Sequence, residues 1–428
     1  MNKTITTLAA FALMTMLPFA SRAQDEGAGL SEAFSALRSA GGPAAVSAVP
    51  AVPAPVPAAA ASGAASRQPK DWTLMIYVDG KNSLESAIFK NVNQMEQVGS
   101  TDKVNVVVEI GHKDLSDNGE GSWKGCRRFL IVKSTFTKGM ASPALQSIPG
   151  CDMGDYHQAI DFGKWAMKEF PARHYMYVLW NHGGGWVPTT PGYANAKAIA
   201  YDDNTHHVMS TPQMGAIMRA LGHIDVYGSD ACLMQMAEVA YELKDRTDFV
   251  VGSEINEPGS GWDYASMLRQ FYSSPMTPLD LANAVVDTYT PQYSSRATQS
   301  AIRASAIAGF ARRLDAFADA VEKAGEGKTA AAARDASQDM LSEDTYKDLY
   351  DFASRVAASS GNADVKARAA DLIGYISGTL VVDNKVTKDL PRMHGVSISI
   401  PADAFDPSYT EMLFAGTRWP GLIQFLQK

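Results

Sequence analysis

The chain has 428 residues, with 38 Lys and Arg against 46 Asp and Glu and a formal net charge of -8. Both signs are scattered and no basic block occurs, which argues against a nucleic-acid footprint and against a polybasic membrane patch. No apolar run reaches the roughly 20 residues that a membrane-spanning helix needs, so the mature chain is expected to be soluble, without a membrane anchor, and monomeric.

The first residues carry Lys3, an apolar run from Leu8 to Ala20, and then Ser21-Arg22-Ala23. A positive start, a short apolar core and small residues before the break describe an export signal peptide over residues 1–23, so the chain is expected to be secreted or periplasmic. Residues 24–69 are rich in Ala, Pro, Gly and Ser, as in Ala51-Val52-Pro53-Ala54-Pro55-Val56-Pro57. Such a composition cannot bury a core and reads as an extended linker or pro-segment. The folded part exceeds the soft prior of about 150 residues per domain. It divides on paper into an α/β core over 70–275 and a mainly helical region over 276–428 that contributes late strands to that core.

Residues 72–78 are a continuous apolar run stopped by Asp79-Gly80, a buried first strand closed by a turn signal. Helical spacing follows over 84–98, a second strand over 104–110, and a further, antiparallel strand over 128–132. Residues 155–170 have helical spacing with Asp155 in the first turn. They lead into Tyr175-Met176-Tyr177-Val178-Leu179-Trp180, a strand that ends in Asn181-His182-Gly183-Gly184-Gly185-Trp186. Residues 187–196 read as an exposed loop and 199–201 as a short strand. Thr211-Pro212 opens a helix in the order of cap then proline. Ile224-Asp225-Val226-Tyr227-Gly228-Ser229-Asp230 is a buried strand that delivers Cys232 and passes directly into a helix ending near Leu243. Residues 249–252 form another strand, ended by the loop 254–264. Helices are expected over 279–293, 310–324, 329–341 and 365–376, with late strands over 301–308 and 396–400. This alternation predicts a doubly wound sheet.

The chemistry concentrates at two strand ends. Ligands of open parallel sheets bind outside the carboxyl ends of the strands, and here one such end carries His182 and another Cys232. By residue type alone a cysteine at a strand end is a small buried hydrophobe. At the start of a helix, however, free N–H groups favour a thiolate, the nucleophilic form. His182 alone is an ordinary loop histidine, but the three glycines after it let a substrate backbone approach and leave N–H groups to meet a developing oxyanion. His182 is therefore assigned proton transfer, and the N–H groups of Gly183 and Cys232 the oxyanion hole. A serine hydrolase with His-Gly-Gly-Gly would also need Gly-x-Ser-x-Gly, and no serine is so flanked. Of the other cysteines, Cys126 and Cys151 either pair in an oxidising compartment or remain separate thiols. His112 and His206-His207 lack zinc spacing. Asp114, Asp117, Asn118 and Glu120 form an oxygen-rich loop open to calcium but ordinary as a turn, as is Asp202-Asp203-Asn204.

Asn181 to Trp186 together with Ser229-Asp230-Ala231-Cys232-Leu233-Met234 resembles the clostripain family of cysteine peptidases, relatives of caspases, legumains and gingipains. The stretches 72–79 and 257–264, Asp348-Leu349-Tyr350-Asp351-Phe352 and His394-Gly395-Val396-Ser397-Ile398 support the resemblance over nearly all of 70–428. It implies a caspase-like, mostly parallel sheet sandwiched by helices. It also implies a thiol endopeptidase acting on protein or peptide substrates through His182 and Cys232, with cleavage after Arg or Lys. Self-cutting between the His and the Cys is implied too, and Lys197 is the one basic residue in the loop 187–198. Some members depend on calcium, and no ligand set carries over. Members that cleave after Arg or Lys place acidic residues in the specificity pocket. Asp230 resembles one of them, but Ser260 stands where the other is expected, leaving Glu257 or Asp263 to supply the charge; Asp230, Glu257, Ser260 and Trp262 are the residues expected to bind substrate. Two alternatives stay open: a catalytically quiet peptide- or surface-binding protein on the same scaffold, and a transpeptidase using the same dyad.

Overall fold

The computed structural model describes residues 68–113, 123–135, 139–186, 199–341, 343–403 and 405–428. The expected signal peptide, all but the end of the linker, the oxygen-rich loop from Asp114 to Glu120 and the loop that holds Lys197 lie outside the described residues.

Nine strands form one sheet. They are β1 (Lys70–Gly80), β2 (Val104–His112), β3 (Gly125–Leu130), β4 (Ala144–Ile148), β5 (Ala172–Trp180), β8 (Ile224–Asp230), β9 (Thr247–Gly252), β10 (Thr298–Arg303) and β12 (Val381–Val386). Their order is β12-β10-β9-β8-β5-β1-β2-β3-β4. The five central strands β9, β8, β5, β1 and β2 are mutually parallel, and antiparallel pairs close both sides. Two short antiparallel ribbons stand apart from it: β6 (Ile199–Asp202) with β7 (His207–Met209), and β11 (Tyr346–Asp348) with β13 (Ser397–Ser399).

Why the central strands read as unbroken apolar runs is clear from their faces. In β1 Met75 and Tyr77 enter one core while Leu74, Ile76 and Val78 enter the other, and β5 repeats this with Tyr177 and Leu179 against Met176, Val178 and Trp180. Successive side chains point to opposite faces, so a sheet covered on both sides needs apolar residues at every position. One face is covered by α1 (Glu85–Glu96), α5 (Tyr264–Arg269) and α6 (Pro278–Tyr289). The opposite face carries α2 (Tyr156–Glu169), α3 (Thr211–Leu221) and α4 (Ala237–Leu243). The same apolar cluster continues into α7 (Ile307–Ala324), α8 (Gly327–Ala336), α9 (Leu349–Ser359), α10 (Ala363–Tyr375) and α11 (Trp419–Leu426), which pack chiefly on one another. The one charged residue inside β2, Glu109, is opposite Arg128 of β3, whose Nε donates to it at 2.6 Å. A buried carboxylate is thus matched by a buried guanidinium, which also fixes the register of this antiparallel pair.

Three expectations are corrected. The late strand over 301–308 ends at Arg303, and α7 begins at Ile307. The stretch 396–400 gives β13, which pairs β11 outside the main sheet, and the late edge strand is instead β12. Helix α3 is capped by Ser210 rather than Thr211, because Ser210 and Gln213 form a reciprocal capping box that spends two end N–H groups. Cys126 and Cys151 form a disulfide with both residues buried, tying β3 to the segment that leads into α2. Cys232 is the free thiol.

Candidate active site

Strands β5 and β8 are parallel neighbours with Trp180 in register with Asp230. His182 and Cys232 each lie two residues beyond that pair, so the same rim of the sheet presents both. They share the wall of a cleft of about 230 Å³ with Leu84, Asp230, Glu257 and Gly261. The two strand ends are drawn close: the Asn181 N–H donates to the Asp230 carbonyl at 3.2 Å. A Cβ placed on Gly183 would lie 2.2 Å from the Cys232 carbonyl oxygen. Only glycine allows this abutment, which is a packing reason for the first glycine after His182.

The expected helix start at Cys232 is not there. Leu233 takes a left-handed φ of 65°, and the next residues run extended. The Leu233 N–H donates to the Ile255 carbonyl at 3.1 Å and the Gln235 N–H to the Ser253 carbonyl at 3.0 Å. With those donors engaged by the segment that follows β9, coiling begins only at Ala237. The N-terminus of α4 is therefore not presented to the sulfur. Its donors are local ones, and the Glu257 N–H lies 3.3 Å from Cys232 Sγ.

The electrostatics favour neutral partners. Burial raises the Cys232 thiol above its ordinary value; the N–H groups of Glu257, Gly183 and Cys232 itself pull it down, and the Asp230 charge adds to the rise. Burial also lowers the His182 imidazole, with the Asp203 carboxylate opposing. A neutral thiol thus faces a cleft that contains a neutral imidazole at neutral pH. Ser83 Oγ lies 2.8 Å from Nε2 of the His182 ring. Ser83 was not among the sequence candidates. Its signal is position: it follows the turn after β1, at the same rim as every other central strand end.

Of the residues expected to hold substrate, Asp230 and Glu257 line the cleft. Asp230 is buried, accepting from the Tyr264 hydroxyl at 2.8 Å and weakly from the Trp262 N–H at 3.4 Å. Burial pushes it up to about 6, while Glu257, Tyr264 and the Trp262 N–H hold it back. Glu257 is pushed well above the usual carboxylate range by burial and then by the Asp230 charge. Two carboxyls this close cannot both ionise cheaply, so they titrate as a pair sharing a proton. The expected roles of Ser260, Trp262 and Asp263 meet a different geometry. Ser260 Oγ accepts from Lys90 Nζ at 2.5 Å and its carbonyl from Asn91 Nδ2 at 3.0 Å, facing α1. The Trp262 ring is buried against the backbone of Gly228, and Asp263 caps α5.

For calcium, the oxygen-rich loop lies outside the described residues. In the Asp202-Asp203-Asn204 turn Asp202 is engaged by Lys81 at 3.2 Å and by the Met153 N–H at 3.0 Å. That carboxylate is structural.

A mostly parallel sheet between helices, with a histidine and a cysteine on one rim, defines the caspase-like class of fold. The clostripain family model, Peptidase C11, matches residues 76–401, and the chain belongs to that family. It is similar to clostripain of Hathewaya histolytica, at 26% identity over 45% of this chain and 40% of that protein, so the match spans less than half of that relative. Among solved structures it is similar to a secreted C11 cysteine protease from Bacteroides thetaiotaomicron in complex with an irreversible peptide inhibitor. There the TM-score is 0.60 and the identity 18%, over 83% of this chain and 99% of the other. An inactive zymogen C11 protease from Parabacteroides distasonis gives a TM-score of 0.61 and 18% identity over the same shares. At this identity the two structures establish the fold.

Proposed function

We propose that this chain is an exported cysteine endopeptidase that hydrolyses peptide bonds after Arg or Lys through Cys232 and His182. The observation that carries the proposal is the register of β5 with β8, which sets both side chains on one cleft. Family membership supports the reaction class, and the N-terminal pattern around Lys3, Leu8 and Ala23 supports export.

The electrostatics favour general-base activation over a preformed ion pair. As Cys232 Sγ attacks the scissile carbonyl carbon, the thiol proton passes to His182. The carbonyl oxygen becomes an oxyanion beside the N–H groups of Gly183 and Cys232. His182 then returns the proton to the departing amine, leaving a thioester on Cys232. Water, deprotonated by the same imidazole, attacks the thioester and releases the acid and the free thiol. Asp230 and Glu257 receive the basic side chain, Glu257 taking the place that Ser260 leaves uncharged. An incoming cation favours ionisation of both carboxyls, so the proton they share is released on binding. Cutting after Lys197, between the two dyad residues, is the corresponding self-processing event.

The test is a peptidyl electrophile with Arg or Lys at its terminal position, applied to the purified mature chain. Covalent labelling of Cys232, lost in His182→Ala and weak with Leu at the same position, is expected. Absence of labelling in the wild type would overturn the peptidase reading, and equal labelling with Leu would overturn the basic preference. Capture of the acyl group by an added amine in preference to water would instead indicate a transpeptidase.

A further inference from the structure

Ser83 meets His182 through two matched clamps. Asn82, immediately before Ser83, donates through Nδ2 to the carbonyls of Asp79 at 3.1 Å and Tyr201 at 2.8 Å, and accepts from the Leu84 N–H at 2.9 Å. Asn181, immediately before His182, donates to the same Asp79 carbonyl at 2.5 Å and accepts from the Tyr201 N–H at 2.9 Å. Both amides are buried. Behind them Lys81 ties Asp202 to the Cys151 carbonyl. The Tyr201 ring stands edge-on to the imidazole, at 90° and 6.2 Å between centres. Hydroxyl and ring are thus set by backbone-anchored amides on either side. That is the kind of rigid support a proton-transfer group needs.

A neutral imidazole carries one donor and one acceptor nitrogen, and the partner of one decides the state of the other. Were Ser83 to donate to Nε2, the ring proton would reside on Nδ1, and neither nitrogen could then accept from a thiol. With the proton on Nε2, Nδ1 keeps its lone pair. A hydroxyl makes this choice without adding charge, so the ring stays neutral, as its burial already favours. An aspartate in the same place would bias it toward imidazolium.

Resting on the reading of His182 as the base, we infer that Ser83 is a positioning residue whose hydroxyl oxygen accepts the Nε2–H of His182 and so reserves Nδ1 for the Cys232 proton. It acts through His182 and makes no contact with the reacting atoms of its own.

Two measurements test this. Ser83→Ala is expected to lower kcat by between about 10- and 100-fold, taking as a guide the loss when a metal-bound histidine is deprived of the partner that orients it. KM should be unchanged, and Ser83→Thr, which keeps the hydroxyl, should recover most of the rate. Independently of turnover, ¹⁵N NMR of histidine-labelled protein, with His182 assigned by difference from His182→Ala, reports the tautomer. The wild type is expected to hold the Nε2–H form and Ser83→Ala to show a mixture. A wild-type Nδ1–H tautomer overturns the inference, as does Ser83→Ala turning over at the wild-type rate. A wild type that fails to label at Cys232 counts against the peptidase reading, while the tautomer still decides the role of Ser83.

Discussion

Gly183→Ala asks how closely the two strand ends must abut. The new Cβ would sit 2.2 Å from the Cys232 carbonyl oxygen, 3.0 Å from the Cys232 nitrogen and 3.1 Å from the Ala231 Cβ. These are backbone atoms and a short buried side chain, so no flexible tip can swing aside. Ordinary contact requires the histidine loop to retreat from the cysteine turn by roughly 1 Å, a misplacement that costs on the order of 100-fold in rate. Overpacking adds about 1–3 kcal/mol of destabilisation, which leaves a domain of ordinary stability folded. The assay is kcat/KM on an Arg or Lys peptide, paired with urea unfolding and with alkylation of Cys232 by a small reagent. The expected result is a folded, alkylatable protein with a large loss of turnover. Wild-type turnover in a folded Gly183→Ala protein would refute the claim that this contact sets the dyad geometry.

Three further outcomes are expected. Because burial lowers His182, the acid limb of kcat/KM should fall below the ordinary imidazole value of 6.5, while alkylation of Cys232 should accelerate only above the ordinary thiol value of 9.0; limbs displaced the other way would contradict a neutral pair. Asp230 has its carboxyl raised from 3.8 to about 6 in the folded state, so folded protein binds that proton more tightly than unfolded. Its contribution to stability is then present at low pH and is lost as pH rises from about 4 through about 6. Asp230→Asn should flatten that decline in the urea midpoint and lower kcat/KM on Arg and Lys peptides; an unchanged pH profile would count against the buried pair. Replacing both Cys126 and Cys151 by serine opens a loop with a sequence separation of 25, and should cost about 3–4 kcal/mol in denaturant unfolding on the chain-entropy account.

The central strands were legible because a sheet buried on both faces writes itself as uninterrupted apolar sequence, as in Trp72 to Val78. The peripheral ones were not. Strand β4, Ala-Leu-Gln-Ser-Ile, is mostly exposed, and β12, Val-Val-Asp-Asn-Lys-Val, is only half-buried. Both are held in place by their neighbours in the sheet rather than by a pattern of their own. The rim placement of His182 and Cys232 was legible because each follows the carboxyl end of an apolar strand, and parallel strands present those ends on one rim. The environment of Cys232 was not, because the helix was inferred from sequence spacing while the turn at Leu233 depends on carbonyls supplied by Ser253 and Ile255. Glu257 and Ser260 are three positions apart in one loop, and only the path of that loop decides which of them reaches Asp230. Ser83 was invisible for a related reason: its partner is 99 positions away.

The bridge between Cys126 and Cys151 is sealed inside the protein, whereas the third sulfur opens on the cleft. A mild reductant reaches the open sulfur by diffusion but meets the bridge only when the interior breathes. Storage damage to Cys232 at the sulfenate or mixed-disulfide stage can therefore be reversed in buffer that leaves the bridge fastened. A reductant strong enough to lower the melting temperature reports on the bridge rather than on the cleft.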